Sequence, residues 1–493
     1  DPMSRIVIIG AGLAGLATAC HLSRTGHEIT VVESRSQVGG LAGEQHQDGH
    51  VFDLGPTVLT MPDLIESTLR AAGGSLDLLP MTQLDPAYRA FFADGSQMDI
   101  WSDHATMRDQ IARMSGAADA RAFDEFVPWL KRLYDVEMPH FIDRNFDSPL
   151  GLVNRPRPAA GLVRMGAFGN LSSLVAKRFT DERLHRLFTF QALYAGLAPH
   201  EARGIYAVIS YMDAINGVYF PDEGMHALPR AMAAAAQNAG VSIRLDTPVT
   251  VLPRDSTGKV TGVVLGEEYL AADAVVCTTD VTTAYQTLLA DVKTPLSLRK
   301  PRYSPSAVVW HIGTRDASAP HLLHHNIHFG HEWERSFDQL IAGGTLMSDP
   351  SRLVTLPTVT APDRAPDGGS TMFVLEPVPD LTGTIDWEHQ REPMRQRLLE
   401  FLERGGYPTD IRTEQLVTPA DWADQGLASG TPFSLSHLFR QTGPFRPRNA
   451  PRNIPGLFFA GMGTTPGVGV PMVLISGNLA ARRVASYVAA QAA

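Results

Sequence analysis

An α/β fold is predicted by three features of this 493-residue sequence. A short apolar run, Arg5 to Ile9, stops at a glycine-rich turn and gives way to residues with helical spacing. A second run, Glu28 to Val32, ends on an acid, and further buried β-type runs followed by helical stretches return at Ala274 and Gly456. The chain is too long for one small core, and 44% hydrophobic with 19% charged residues is the composition of folded protein, so two or three structural units are expected.

The first turn reads Gly10-Ala11-Gly12-Leu13-Ala14-Gly15, with a helix predicted from Leu13 to Arg24. Gly10 permits the tight bend, Gly12 lets backbone approach a pyrophosphate, and Gly15 lets the helix lie close to the strand. The helix N-terminus then offers free N–H groups and a positive dipole end to phosphates. Glu33 closes the second strand 18 residues after Gly15, where a carboxylate bonds the hydroxyls of an adenosine ribose that lacks a 2′-phosphate. A chance glycine turn is the competing reading; strand, helix and acid together weigh against it. This is a Rossmann-like dinucleotide site, and so far it fits NAD as well as FAD.

The residues that follow separate the two. Glu33-Ser34-Arg35 leads into Val38-Gly39-Gly40-Leu41, and then comes Phe52-Asp53-Leu54-Gly55-Pro56-Thr57. These resemble the flavin-contacting segments of the amine oxidase and phytoene desaturase superfamily, which implies FAD. Distant pieces extend the resemblance: Phe220-Pro221 before Gly224 and a helix from Ala227 to Ala239; the run Val241 to Leu252, in which the backbone of Val249 would clasp the adenine; and Ala274 to Cys277 leading to Thr279-Asp280. Pro377-Val378-Pro379, Ser434, Phe445-Arg446-Pro447 and the tail from Gly461-Met462-Gly463 to Gly469-Val470-Pro471-Met472 follow in order. Together they resemble the bacterial phytoene desaturase family over nearly the whole chain. Pro471 suits the first turn of a helix, and the resemblance implies that this helix aims its positive end at the flavin.

The resemblance implies a discontinuous Rossmann-like FAD-binding domain made of 1–75, 217–290 and 445–493. A mostly helical insertion, 76–216, and an α+β substrate domain, 291–444, with strand-like runs Ala307 to Ile312 and Met372 to Val378, complete the expected plan. The charge-free stretch Asn453 to Ala480 is long enough to mimic a membrane span, but its glycines and prolines predict strand, tight loop and helix instead.

The family implies removal of hydrogen from a long uncharged isoprenoid such as phytoene. Breaking two C–H bonds of a CH2–CH2 unit needs a hydride acceptor, which flavin N5 supplies, and a proton acceptor. In the family an acid and a nearby arginine of the helical insertion are implicated. The stretch here reads Asp147-Ser148-Pro149-Leu150-Gly151 with Arg155 beyond, so Asp147 and Arg155 are the candidates, with ordinary surface residues as the alternative. Only one dinucleotide fingerprint is visible, so a quinone or dioxygen is expected to reoxidise the flavin. A flavin oxidase or ketolase acting on another carotenoid or a polar substrate, and a non-enzymatic prenyl carrier on the same fold, remain open alternatives.

A formal net charge of -10 argues against nucleic-acid partners. Against that balance, Ser148 to Thr180 holds Arg155, Arg157, Arg164, Lys177 and Arg178 and no acid, interleaved with apolar residues. It reads either as a solvated basic face or as a segment lying on an anionic bilayer; the lipid-soluble substrate of the family favours the bilayer. With two cysteines, Cys20 and Cys277, and a first strand starting at Arg5, the expected place is the cytoplasm, peripheral to the inner face of the cell membrane. Asp1 and Pro2 read as additions ahead of Met3. The histidines His321, His324, His325, His328 and His331 invite a metal, but the family needs none and no metal is expected.

Overall fold

The computed structural model describes residues 3–492, so Asp1 and Pro2 lie outside it. Five strands from distant parts of the chain form one parallel sheet, in the order Leu457–Phe459, Ala274–Cys277, Arg5–Ile9, Glu28–Val32 and Ser242–Arg244. The central strand is apolar because both its faces are covered. Ile6 and Ile8 pack under the helices, while Val7 and Ile9 join Val263, Val275 and Leu289 on the other side. The helix Leu13–Leu22 is buried along nearly its whole length because the C-terminal helix Val470–Ala492 and the helix Ala227–Asn238 both lie against it.

A second sheet has seven strands, in the order Ile411–Val417, Ser306–Thr314, Ser370–Val378, Arg352–Thr355, His325–His328, Tyr88–Phe91 and Gln97–Ile100. Its pairs are antiparallel except that of His325–His328 with Tyr88–Phe91. Alternation divides its labour. Val308, Trp310 and Ile312 pack with Leu398, Phe401 and Leu402 of the helix Trp387–Arg404, while Ala307, Val309 and Phe373 turn the opposite way.

The stretch 76–216 is mostly helical, as expected, with one refinement, and the run after Val241 is corrected. The stretch 76–216 opens with the strands Met81–Leu84, Tyr88–Phe91 and Gln97–Ile100, because Asp94-Gly95, with Gly95 at φ 85°, closes a hairpin whose strands join the second sheet. Helices dominate only beyond His104, with π-helical turns at Met138–Ile142 and Tyr211–Ile215. The run from Val241 to Leu252 joins the parallel sheet only over Ser242–Arg244, since Asp246 takes a left-handed conformation and Pro248 follows it, and Val251 then bridges to Val264 outside that sheet. Asn453 to Ala480 resolves into strand, loop and helix, and among the described residues no helix is long and apolar enough to cross a membrane.

Candidate active site

The glycine turns lie at the carboxyl ends of the parallel strands, where open α/β sheets hold their ligands. Backbones touch there. Gly39 N–H donates to Ala11 O at 2.8 Å, and a Cβ on Gly40 would stand 3.1 Å from Gly12 Cα. A Cβ on Gly55 would meet Leu41 O at 2.1 Å, so no side chain fits between these segments. Gly15 packs its Cα against the Gly10 carbonyl, which a Cβ would approach to 2.0 Å, and this seats the helix on the strand. Glu33 accepts from Ala11 N–H at 2.7 Å and from Arg35 N–H at 2.9 Å, and the Arg35 guanidinium reaches Gly40 O at 3.0 Å.

Two polar anchors hold the rest of the wall. Asp53 accepts from Arg364 at 2.9 Å and from Met225 N–H at 3.1 Å, which fixes the run Gly55-Pro56-Thr57 after it. Arg446 is fully buried and donates to Met462 O, Thr464 O, Gln441 O and Leu435 O, tying the tail loop to the segment before it. Burial without an acid partner pulls its guanidinium down to about 9.

These segments border one cavity of about 1490 Å³. Of the residues expected at the cofactor, Gly10, Gly12, Leu13, Ala14, Glu33, Ser34, Arg35, Gly39, Gly40, Leu41, Gly55, Pro56, Thr57, Thr279, Asp280, Gly461, Met462, Gly469, Val470, Pro471 and Met472 all line it. Ala11 and Gly15 stand just behind that wall. Val249 does not reach it and packs instead against the core beneath Val7 and Val275. Glycine-lined backbone beside an acid is a cradle that fits a dinucleotide. Past Thr57 the cavity continues as a mostly apolar chamber between the second sheet, with Val309, Phe373 and Leu375, and the helical segment, with Phe190, Leu193 and Ile209.

Asp147 and Arg155 are not there. The Asp147 side chain is 76% exposed and pairs with Arg483 of the C-terminal helix at 2.6 Å, while Arg155 contacts His140 on the surface at 2.6 Å. Neither lines the cavity; the apolar neighbour Phe146 does. The assignment of this pair as catalytic is therefore corrected: the C-terminal helix draws the acid outward.

The acids on the cavity wall are Glu33, Glu137, Glu201, Asp213 and Asp280. Glu137 and Asp213, both buried, had not been singled out. Asp213 had a signal, since it is the one charged residue between Arg203 and Asp222. Tyr88 Oη donates to its Oδ1 at 2.6 Å, and burial pushes its carboxyl up to about 6.

The histidines of 321–331 go separate ways: His324 to Thr360, His325 to Thr355, His328 to Tyr407 and His321 to Gly405 O. Cys20 and Cys277 are buried, and burial raises their thiols to about 12 and about 11.

The family model for flavin containing amine oxidoreductases matches residues 13–485. A phytoene dehydrogenase of Streptomyces griseus is 49% identical over 490 residues, covering 98% of this chain and 95% of that protein. A zeta-carotene-forming phytoene desaturase of Myxococcus xanthus is 35% identical, covering 99% and 95%. Among solved structures, an oxidoreductase from Methanosarcina mazei matches with a TM-score of 0.64 at 15% identity, over 96% of this chain and 98% of that one. A putrescine oxidase bound to putrescine matches at 0.60 and 15%, over 99% of both chains. At that identity the likeness is one of fold.

Proposed function

The chain belongs to the flavin containing amine oxidoreductase family, and from that premise we propose that it is an FAD-dependent desaturase of a carotenoid precursor such as phytoene. The observation that carries this reading is that the glycine-lined cradle and a mostly apolar chamber belong to one cavity. The phytoene dehydrogenase and desaturase among its relatives, similar over nearly their whole length, support the same substrate class.

In this reading Gly12, Gly40 and Gly55 leave room for the pyrophosphate and the ring, Glu33 bonds the adenosine ribose, and the N-terminus of the helix Val470–Ala492 faces the pyrimidine end. Bound FAD supplies a two-electron, hydride-accepting centre. Val309, Phe373, Leu375 and Phe190 align the hydrocarbon and exclude water. Burying a polyene at ~25 cal/mol per Å² binds it without hydrogen bonds. The segments 1–75, 217–290 and 445–493 would act as the flavin-binding unit, and the rest would enclose the substrate.

The cavity also reaches Leu152, Ala159, Leu162 and Phe168 in the basic segment, where Val163 and Phe168 are solvent-exposed apolar residues. This supports a working position on the cytoplasmic face of a membrane, with the substrate entering from lipid. A quinone or dioxygen would take the electrons onward. FAD-loaded protein given phytoene in liposomes, in air or with an added quinone, should accumulate a coloured polyene, and primary amines should not reduce its flavin. Amine-dependent reduction without any change in phytoene overturns the reading.

A further inference from the structure

Resting on that desaturation reading, we propose that Asp213 is the acceptor of the proton that the substrate loses. It lines the chamber from the π-helical turn Tyr211–Ile215, a backbone irregularity that often marks functional positions. Its Oδ1 is oriented by Tyr88 Oη at 2.6 Å, and its Oδ2 is buried with the Gln191 side chain beside the carboxylate. The other acids on the wall are engaged or displaced. Glu33 is held by Ala11 N–H and Arg35 N–H, Asp280 caps the helix Val281–Gln286 through Thr283 N–H, and Glu201 is exposed. Burial keeps the Glu137 carboxyl well above the usual carboxylate range, so it is an acid where a base is needed.

A chain of contacts through Tyr88 links Asp213 to the wall assigned to the flavin. The Tyr88 ring lies 5.5 Å from that of His325, His325 Nδ1 contacts Thr355 Oγ1 at 2.9 Å, and Thr355 reaches Thr57 Oγ1 at 3.5 Å. Thr57 follows Gly55-Pro56 on the cradle. The groups facing the carboxylate are the phenols of Tyr88 and Tyr194, neutral near pH 7, and the side-chain amide of Gln191, with Tyr134 behind Tyr211 and with His325, which burial lowers to about 3, behind Tyr88. Of these, Asp213 alone titrates near neutrality, and burial places it at about 6, a value suited to a base at physiological pH.

The atoms balance. Adjacent CH2 groups of the hydrocarbon lose one hydrogen as a hydride, for which FAD is the acceptor, and one as a proton, which the Asp213 carboxylate takes. A carbon–carbon π bond replaces the two C–H bonds, the hydrocarbon is oxidised by two electrons, and a quinone or dioxygen later receives them.

The test is anaerobic flavin bleaching by phytoene in liposomes, followed from pH 5 to 9 in the FAD-loaded wild type, Asp213→Asn and Tyr88→Phe, with infrared spectra of the oxidised proteins. Asp213→Asn should bind flavin and phytoene normally but bleach at least about 100-fold more slowly, and should lack a carboxyl C=O band that titrates near pH 6 in the wild type. Tyr88→Phe, which removes a bond that favours the ionised form, should move the acid limb of the wild-type rate profile to higher pH. An Asp213→Asn rate within about threefold of wild type, or, if that variant does not fold, an acid limb unmoved in Tyr88→Phe, overturns the assignment alone. A wild type that phytoene never bleaches overturns the desaturase reading and this inference with it.

Discussion

Ala11 donates its backbone N–H to Glu33 Oε2 at 2.7 Å, so the acid that ends the second strand closes the glycine turn that ends the first. Glu33 is buried in the protein and borders the cavity. Glu33→Ala removes this bond and the proposed ribose contact together. The expected result is FAD affinity lower by about 10- to 100-fold, roughly 1–3 kcal/mol, in calorimetric titration of flavin-stripped protein. Unchanged affinity would place the adenosine elsewhere.

Gly477 lies where the C-terminal helix crosses the first helix, and a Cβ there would stand 2.6 Å from Ala17 Cβ and 2.7 Å from Ala14 O. Gly477→Ala must push the two helices apart. A loss of about 1–3 kcal/mol is expected, read as a lower denaturation midpoint. A variant as stable as wild type would show that the two helices can separate without penalty.

Asp213 has a stability signature independent of turnover. Its folded carboxyl titrates at about 6 because of burial, above the usual value of about 3.9. The neutral acid is therefore the favoured form: its contribution is complete below the unfolded value and disappears as pH rises through about 6. Asp213→Asn, neutral throughout, should match wild type near pH 4 and exceed it near pH 8 by an amount on the order of 1–3 kcal/mol. Denaturant melts at the two pH values measure the difference, and a variant less stable at pH 8 would deny that the carboxylate is strained by burial. Such a cost is common where a site needs a charge that the core disfavours.

Arg155, Arg157 and Arg164 surround the exposed Val163 in an acid-free basic stretch of a chain with net charge -10. Reversing all three to Glu should abolish co-sedimentation with anionic liposomes, and raised salt should weaken the wild type in the same assay. Equal sedimentation of both would remove the bilayer from the account.

What the sequence made legible was local. The strand Arg5–Ile9, the second strand to Val32, the Gly10–Gly15 turn and the helix beginning at Val470 each carry their signal within a dozen residues. What it hid was set by partners far along the chain. Asp147 faces outward because Arg483 meets it, and Val249 leaves the wall because Asp246 and Pro248 bend the chain away from the sheet. Asp213 acquires its surroundings from Tyr88, a residue 125 positions earlier. Tyr88–Phe91 and Gln97–Ile100 read as part of a helical stretch because their sheet partner, His325–His328, lies far downstream.

The central claim is that a single cavity brings FAD and a hydrocarbon chain together. Its most direct measurement is anaerobic single turnover: the FAD-loaded protein mixed with phytoene, flavin loss read from the visible spectrum and product analysed from the same sample. One double bond gained per flavin reduced is the predicted result. Flavin that stays oxidised with phytoene present, or that is reduced while the hydrocarbon remains unchanged, would contradict it.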